Sequence, residues 1–427
     1  MNHSSIIKKF MVAILLLPQL CLAQTNTENF AQLKFNFNNP GARATAMGGA
    51  FISIADDATA SEANPAGLTT LIRPEFSFEL KGIQYTRNIF NYSSTGTADN
   101  FSLAGHDFNN SVVSPSFVSF VYPKDRFTFS AFRYELVNFE SSYFTKGAFV
   151  PGFTDGSNYF PVKSDLDMTV TNWGAAAGFK LNENISVGAS FGVSKFNIDS
   201  KFSRYSLAVF DEGTFENGTT IDDNDTDVFF NIGLNLKISD NITLGAIYKR
   251  RPQFTVNQLL TQTNFPNDLT ARDSINFNIP SAFGAGISYR PNDVFTVALD
   301  VVDVKYSDLT DNFVLTAARE SFTPNDFKAD DGVEVHVGAE YVTFYNQLGL
   351  VFRGGFYVEP DNRIKFAGNG NGDFTRETFK ILFQDGDSTV HGTFGLGLLF
   401  TENFQLDLAG NLSDSSDEFV ASFVYRL

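Results

Sequence analysis

Few side chains in this sequence are of the kinds that carry out catalysis. Apart from the N-terminal region, the histidines are His106, His336 and His391, and no nucleophile motif accompanies them. The single cysteine, Cys21, lies near the N-terminus. Nucleophilic and acid–base catalysis need a nucleophile within hydrogen-bond reach of a base. The sequence therefore predicts a protein that is not an enzyme, with no catalytic residues and no cofactor.

The densest group of candidate metal ligands is the run Asp222-Asp223-Asn224-Asp225-Thr226-Asp227. Carboxylates at alternate positions could hold Ca²⁺, or the divalent ions that bridge lipopolysaccharide phosphates. The run lacks the glycine and the distal glutamate of an EF-hand loop. We therefore interpret it as a solvated acidic loop and predict no metal site.

Residues 1–23 have the features of a cleavable secretion signal. Two lysines precede an apolar run over residues 10–17, and small residues follow at 21–23. A lipoprotein signal is the alternative, but the residues before Cys21 lack the small side chain normally expected there. The mature chain would then begin at Gln24 and contain no cysteine, which excludes disulfides and thiolate metal sites.

The composition argues against a nucleic-acid partner and favours a fold made of strands. The formal charge of −17 becomes −19 once the leader, with two lysines and no acidic residue, is removed, so no nucleic acid is expected as a partner. Phenylalanine occurs 48 times against one tryptophan, and 33 glycines accompany 4 methionines, a balance that favours strands over helices. No apolar run reaches the length of about 20 residues that a spanning helix needs.

Alternation of apolar and polar residues is the strongest pattern in the sequence. It runs through residues 185–194, 228–237, 333–341 and 404–412, each with one apolar and one polar face. Over the whole chain it predicts 14 strands. They cover residues 75–86, 115–122, 125–139, 165–180, 184–199, 225–237, 241–256, 275–290, 293–306, 331–345, 348–358, 389–400, 403–412 and 418–426.

Short and long links alternate between these strands. Short links such as Pro123-Lys124, Ser239-Asp240 and Thr401-Glu402 separate much longer connections. Outer-membrane barrels have short periplasmic turns, long external loops and an even number of strands, whereas a secreted β-sandwich has no reason to keep that order. The sequence predicts an all-β fold, a 14-stranded antiparallel transmembrane β-barrel in the outer membrane of a Gram-negative bacterium.

The last predicted strand alternates to the final residue, over 419–427. This is typical of the C-terminal strand that the barrel assembly machinery recognises during biogenesis. The other expected partners are outer-membrane lipid and lipopolysaccharide, and a barrel closed by its own strands is expected to be a monomer.

The stretch from Gly41 to Leu68 has no strand pattern and is rich in small residues. Gly48-Gly49 allows backbone torsion angles that other residues cannot adopt, and the sequence Asn64-Pro65-Ala66-Gly67 is typical of a turn. A 14-stranded barrel is too wide for its own side chains to fill, since about eight strands already fill theirs. We therefore predict that residues 24–74 form a plug, or hatch, inside a barrel formed by residues 75–427.

The same stretch resembles the N-terminal hatch of the FadL/TodX family, outer-membrane transporters of long-chain fatty acids and other hydrophobic compounds. A small-residue run, an Ala-Asp-Asp-Ala and an Asn-Pro-Ala recur there in this order, and that family is also a 14-stranded barrel. We interpret the matching residues as fixing the plug, by turns and by pairing with lumen cations, rather than as contacting a ligand. With the neighbouring Gly49 and Gly67, the predicted plug residues are Gly41, Arg43, Gly48, Gly49, Asp56, Asp57, Asn64, Pro65, Ala66 and Gly67.

The resemblance implies passive transport of a hydrophobic small molecule, such as a long-chain fatty acid or an aromatic hydrocarbon. It implies capture among the external loops, an apolar pocket above the plug, a plug rearrangement around Asn64 to Gly67 and lateral exit through the barrel wall. Two alternatives stay open. FadL-like barrels include PorV-type components of type IX secretion, which act as protein-interaction scaffolds, and a surface structural barrel is the third interpretation.

Two further hypotheses concern single sites. In the FadL family a kink in the third strand opens the wall sideways, and here the apolar face of that strand changes parity at Ala131 and Phe132. An extra residue near Ala131, Phe132 and Arg133 would make a bulge, and we take these three as a possible lateral gate; a register misread by one residue is the alternative. Most lumen charges should be ion-paired, but Arg353 or Lys249 could contact a carboxylate headgroup.

Overall fold

The structure is a computed structural model that describes residues 37–92, 103–145, 148–149, 158–159, 162–205, 215–262, 269–313, 326–368, 383 and 385–427. The predicted leader lies outside the described residues, as does the beginning of the predicted plug.

Fourteen antiparallel strands form the wall of one closed barrel. Each strand pairs with its neighbours in sequence, and the last pairs with the first, which confirms the predicted fold class. The strands are β1 (Glu75–Tyr92), β2 (Leu103–Lys124), β3 (Phe127–Thr145), β4 (Val162–Lys180), β5 (Ile185–Tyr205), β6 (Phe215–Lys237), β7 (Ile242–Arg250, continued by Gln253–Gln262), β8 (Leu269–Asn278, continued by Ala282–Asn292), β9 (Phe295–Val304), β10 (Gly332–Tyr345), β11 (Leu348–Glu359), β12 (Thr389–Leu399), β13 (Phe404–Leu412) and β14 (Ser416–Arg426).

Prolines interrupt two neighbouring strands. Pro252 lies between the two parts of β7, and Pro280 lies between the two parts of β8. Proline has no backbone N–H to donate to a sheet, so the ladder breaks at these positions. The two breaks are adjacent, because the N–H of Ile279 donates to the Pro252 carbonyl at 3.0 Å.

The strands are much longer on one side of the barrel. β2 to β6 have 19 to 23 residues each, whereas β9 to β14 have 9 to 14. At one end the strands are joined by tight turns, where Asp125 and Asn346 adopt positive φ, which Asp and Asn tolerate better than most residues. The long strands therefore extend the wall at the opposite end.

Within the part of the chain that the structure describes, the helices are few and short. They are α1 (Ala42–Ala46), α2 (Ala60–Ala63) and the 3₁₀ helices η1 (Pro65–Thr70) and η2 (Tyr306–Thr310). Two small sheets pair Ala148–Phe149 with Asn158–Tyr159 and Phe327–Lys328 with Lys365–Phe366. Within the described ranges, no helix is long and apolar enough to cross a membrane.

The two faces of the wall differ in chemistry. Large apolar side chains such as Phe127, Trp173 and Phe352 are 46%, 61% and 49% exposed on the outside, as in a barrel wall that contacts lipid. Nearer the loops of the long strands the outward residues become polar, as at Asn224 and Thr226 on β6. The acidic run predicted as a solvated loop thus lies on a strand, and that prediction is wrong. The outer part of β6 does not need an apolar outward face, because it projects beyond the apolar band.

Candidate functional site: the plug and the lumen above it

Inward-facing glycines in the wall let the plug backbone touch the strands. A Cβ at Gly188 would lie 2.2 Å from the Pro65 carbonyl carbon, and a Cβ at Gly338 would lie 2.2 Å from the Met47 oxygen. Side chains of any size would push the plug away at these points. Other inward-facing glycines lie next to side-chain atoms of the plug, and we call the whole set the glycine belt. It comprises Gly178, Gly188, Gly233, Gly245, Gly284, Gly286, Gly338, Gly355 and Gly395, on β4 to β8 and β10 to β12.

Asn64 begins the plug segment that lies against β4 to β6. Its side chain is fully buried; its Oδ1 accepts the Ala66 N–H at 3.2 Å and its Nδ2 donates to the Ile52 carbonyl at 2.7 Å and to Asn235 Oδ1 at 2.8 Å. This is an N-cap followed by Pro65 at the first helical position, which the Asn-Pro sequence favours. Gly67 is needed because a Cβ there would lie 1.8 Å from the Ala55 oxygen.

The glycine pair of the plug has the positive φ angles that its composition suggested. Gly48 and Gly49 have φ of 64° and 75°, and Gly41, at the start of α1, has 109°. A Cβ at Gly48 would meet backbone atoms of β10 and β11 at 2.7 Å. The Gly48 carbonyl lies 2.8 Å from His336 Nδ1. Glycine is therefore required at Gly48 both by torsion and by space.

Ion pairs join the plug to β8 and β10, and the same network continues within the wall to β11 and β13. Arg43 of α1 donates to Glu340 on β10 and contacts Asp56 within the plug, and Asp56 accepts from Arg290 on β8 at 2.8 Å. Arg353 on β11 donates to the same Glu340 carboxylate at 2.7 Å and to Asp407 at 2.6 Å. Asp57 instead accepts the Thr59 N–H at 2.9 Å and so stabilises a turn.

Wall carboxylates also bind backbone N–H groups of the plug. Asp300 on β9 is fully buried and accepts from the N–H groups of Phe51 and Ile52 at 2.6 and 2.7 Å. Glu75, the first residue of β1, accepts from Ala58 at 2.9 Å. The plug is thus held by charge-assisted hydrogen bonds on several sides of the lumen.

Glu62 of α2 brings two wall cations together. Its carboxylate is fully buried and lies 2.7 Å from Arg251 Nη1 and 3.5 Å from Lys249 Nζ. Lys249 also donates to Asn39 Oδ1 at 2.8 Å. Lys249 and Arg353, the two cations proposed for a carboxylate headgroup, are therefore both ion-paired in this structure.

Aromatic rings line the lumen beyond the plug. Phe132 on β3 lies 6.3 Å from Phe117 and 6.2 Å from Phe229, ring centre to ring centre. Further round the wall, Phe196 stacks on Phe254 at 5.1 Å and on Phe277 at 4.8 Å. These rings are buried inside the barrel with Leu, Ile and Val side chains. The lumen at this level is apolar.

The wall divides between β2 and β3. The two strands pair as far as Phe117 opposite Tyr134; beyond that point, in the described part of the chain, β2 pairs only with β1 and β3 only with β4. Side chains bridge the gap instead. Arg133 donates to the Pro115 carbonyl and Ser114 to Glu135, and the Tyr85 and Phe139 rings lie 4.8 Å apart. We call this gap the β2–β3 split.

The bulge predicted near Ala131 to Arg133 is wrong in position. Pairing is continuous through these residues on both sides of β3, and the register shift lies between Glu135 and Val137. The apolar residues change face for another reason: Phe129 faces outward at 48% exposure, whereas Phe132 lines the apolar lumen at 5%. A regular strand can be apolar on both faces when lipid lies on one side and an apolar lumen on the other.

The chain matches one family of proteins over most of its length. The model of the family described as outer membrane protein transport protein (OMPP1/FadL/TodX) matches residues 21–411. The chain belongs to this family. No curated protein matches it.

Solved structures of low sequence identity share the fold of this FadL/TodX-family protein. The toluene transporter TbuX of Ralstonia pickettii is 17% identical, with 92% of this chain and 99% of that chain covered and a TM-score of 0.59. The toluene transporter TodX of P. putida is 16% identical, with the same coverage and a TM-score of 0.59. A FadL homologue of Pseudomonas aeruginosa is 15% identical, covers 93% and 99%, and has a TM-score of 0.60.

Sequence reasoning missed several residues that hold the plug of this FadL/TodX-family barrel. The glycine belt was visible only as single glycines in strands, and Glu62 and Arg251 carried no motif. One signal could have found the belt: glycine recurs on the polar, inward face of successive strands, where a side chain would otherwise be expected. Within the described residues, no group of three or more His, Cys, Asp or Glu side chains could hold a metal.

Proposed function

We propose that this protein conducts hydrophobic small molecules across the outer membrane of a Gram-negative bacterium, by passive diffusion through the lumen and lateral exit through the wall. One observation carries the proposal: the buried aromatic lining of the lumen reaches the β2–β3 split. Phe117 and Tyr134, which form the last backbone-paired position, both belong to this lining, and their rings lie 6.3 Å apart.

The plug and the β2–β3 split are mechanically connected. The Tyr134 hydroxyl donates to the Asn38 carbonyl of the plug at 2.5 Å, and Asn38 Nδ2 donates to Tyr357 on the opposite wall at 3.0 Å. Movement of the plug would therefore act directly on the residue where the two strands separate. We propose that displacement of the plug segment from Asn64 to Gly67 accompanies transport.

The polar contacts in the lumen favour an uncharged ligand. Lys249 and Arg353 already neutralise carboxylates of the protein, so using either for a fatty-acid headgroup would break a buried ion pair. Two of the similar structures are toluene transporters by name. We therefore favour an aromatic hydrocarbon over a long-chain fatty acid as the substrate.

The outer face of the wall supports the proposed outer-membrane location. Aromatic and aliphatic side chains are exposed on the outside of the barrel toward the end with the tight turns. Such a surface requires hydrocarbon as its surrounding medium. Because one chain closes the barrel, the transport unit needs no second subunit, and we propose a monomer.

Ligand binding is tested first. Protein purified in a detergent unlike a fatty acid is examined by native mass spectrometry, and binding of labelled toluene and labelled palmitate is measured. Saturable toluene binding, with weaker binding of palmitate, is the expected result. Equal or tighter palmitate binding would reverse the choice of substrate, and a lumen that binds neither would favour the protein-interaction scaffold or the surface structural barrel.

Lateral exit is tested by closing the β2–β3 split. A short thiol-reactive cross-linker would join Ser114→Cys to Glu135→Cys, whose parent side chains are in contact. The mature chain is expected to have no other cysteine. The matched control is Phe120→Cys with Ala131→Cys, directly opposite on the paired part of the same strands. We expect toluene uptake to stop only in the first variant, while its binding in detergent persists; normal uptake would rule out exit here.

A further inference from the structure

A second interruption lies between β6 and β7. Backbone pairing stops at Phe230, opposite Arg250, and resumes at Thr220, opposite Leu259. Pro252 lies at the start of this interval and cannot donate to the ladder. We call the interval the β6–β7 seam. Four strands, β3 to β6, lie between it and the β2–β3 split, and the middle two, β4 and β5, are paired to each other along their full described length.

Carboxylates of β6 take the place of the missing backbone acceptors. Alternate residues of the acidic run, all half-buried, each accept one backbone N–H across the seam. The bonds join Asp223, Asp225 and Asp227 to the N–H groups of Asn257, Thr255 and Gln253, at 2.9, 2.8 and 2.9 Å. A carboxylate on a rotatable side chain can release its partner and be hydrated at once, which a backbone carbonyl fixed in a ladder cannot do.

The two sides of the seam have opposite chemistry. On the lumen side Phe229, Phe254 and Val256 are buried at 0 to 1% exposure and belong to the aromatic lining. On the outside, Thr226 and Thr255 are exposed polar residues. The outward face becomes apolar immediately below, at Val228 and Phe230, so the seam lies at the level of the lipid headgroups.

We infer that the β6–β7 seam is a second opening in the wall, through which the hydrophobic ligand enters the lumen from the headgroup layer. This inference rests on the proposed function. A hydrophobic molecule that has partitioned into this layer would reach Phe254 by passing between the two strands, without crossing the external loops. Release of the three carboxylate bonds, together with the contacts of Arg250 with Asp227 and Val228 and of the Asn257 side chain with Asp223, opens the passage. Their re-formation closes it while the barrel stays intact.

The experiment locks the seam with a disulfide. Asp223→Cys and Asn257→Cys replace two side chains that contact each other, with Asn257 Nδ2 2.8 Å from Asp223 Oδ2. Cells or proteoliposomes carrying the oxidised variant are expected to lose uptake of labelled toluene, and reduction is expected to restore it. Uptake at the wild-type rate by the oxidised variant would overturn the inference.

The matched control places the same bond at the same height in continuous sheet. Asn197→Cys and Asn224→Cys are directly opposite on β5 and β6, which pair without interruption there. Oxidation of this variant is expected to leave uptake unchanged. Loss of uptake in both variants would mean that any cross-link near β6 disables the barrel, and the inference would then fall.

A second variant tests the seam without a cross-link. Asp225→Ala removes one bridge and leaves the other two, so we expect faster uptake of toluene and a larger single-channel conductance. If uptake and conductance both stay at the wild-type level, the carboxylates do not close a passage. The proposed function is read separately, from toluene binding to the wild-type protein in detergent. Absence of that binding would refute the function, whereas normal binding with normal uptake after locking would refute only the seam.

Discussion

The Arg43 guanidinium of the plug forms a two-pronged contact with the Glu340 carboxylate of the wall, with Nε 2.9 Å from Oε2 and Nη2 3.2 Å from Oε1. Arg353 donates to the same Oε2 at 2.7 Å. One carboxylate therefore joins two arginines, one belonging to the plug and one to the barrel. Loss of the Glu340 carboxylate should therefore weaken the attachment of the plug.

Glu340→Gln should loosen the plug without unfolding the barrel. The substitution removes the carboxylate shared by the two guanidinium groups, but Arg43 keeps Asp56 and Arg353 keeps Asp407. The cost should therefore fall below the roughly 3–5 kcal/mol of a buried pair whose remaining charge has no partner. We expect a larger conductance in planar bilayers and faster protease cleavage after Arg43. Glu183→Gln is the control, because Glu183 lies in an exposed turn and pairs only with Lys180 at the end of β4 among the described ion pairs. Unchanged conductance in Glu340→Gln would contradict the assigned role.

Gly48→Ala should displace the plug for steric reasons. The left-handed φ disfavours alanine by about 1–3 kcal/mol, and the added methyl group would meet backbone atoms of Val337 and Phe356 at 2.7 Å. We expect a lower urea midpoint for loss of plug protection against proteolysis. Gly392→Ala is the matched control, since nothing lies within 4 Å of its added Cβ. Equal midpoints for the two variants would show that the contact is not rigid.

Asn64 variants should separate hydrogen bonding from charge. Asn64→Ala removes an N-cap and leaves the Asn235 side chain without its partner, at a cost of about 1–3 kcal/mol. Asn64→Asp keeps the cap acceptor but turns a carboxylate oxygen toward the Ile52 carbonyl, so we expect it to destabilise the plug more than alanine does. Hydrogen exchange of the Ala66 amide measures the effect. Greater protection in the aspartate variant would disprove this assignment of the amide.

Lys249→Met distinguishes a plug contact from a headgroup site. Glu62 keeps Arg251 as a partner in this variant, so the plug should be weakened but not released. Under the proposed function the ligand does not contact Lys249, so we expect toluene and palmitate binding to change by the same factor. A loss confined to palmitate would restore the headgroup hypothesis for Lys249. Parallel measurements on Arg353→Met test the second cation in the same way.

Local patterns in the sequence were sufficient for the architecture. Alternation has a period of two residues, so each strand can be recognised from its own residues alone. The short links mark one end of the barrel. The 14 strands could be counted for this reason. The small residues and the turn signal from Gly41 to Gly67 likewise predicted a tightly packed plug segment. The backbone torsion angles that a residue can adopt depend on its own side chain, so the sequence alone shows where tight turns are possible.

Contacts between distant segments were decided only by the tertiary structure. The glycine belt, the pairing of Glu62 with Lys249 and Arg251, and the partners of the acidic run depend on which strand faces which part of the plug. The place of the bulge on β3 was also misread, since sequence shows that a residue is apolar but not whether lipid or lumen is its apolar neighbour. Alternation assigns a residue to a face, whereas register, tilt and the path of the plug decide what that face meets.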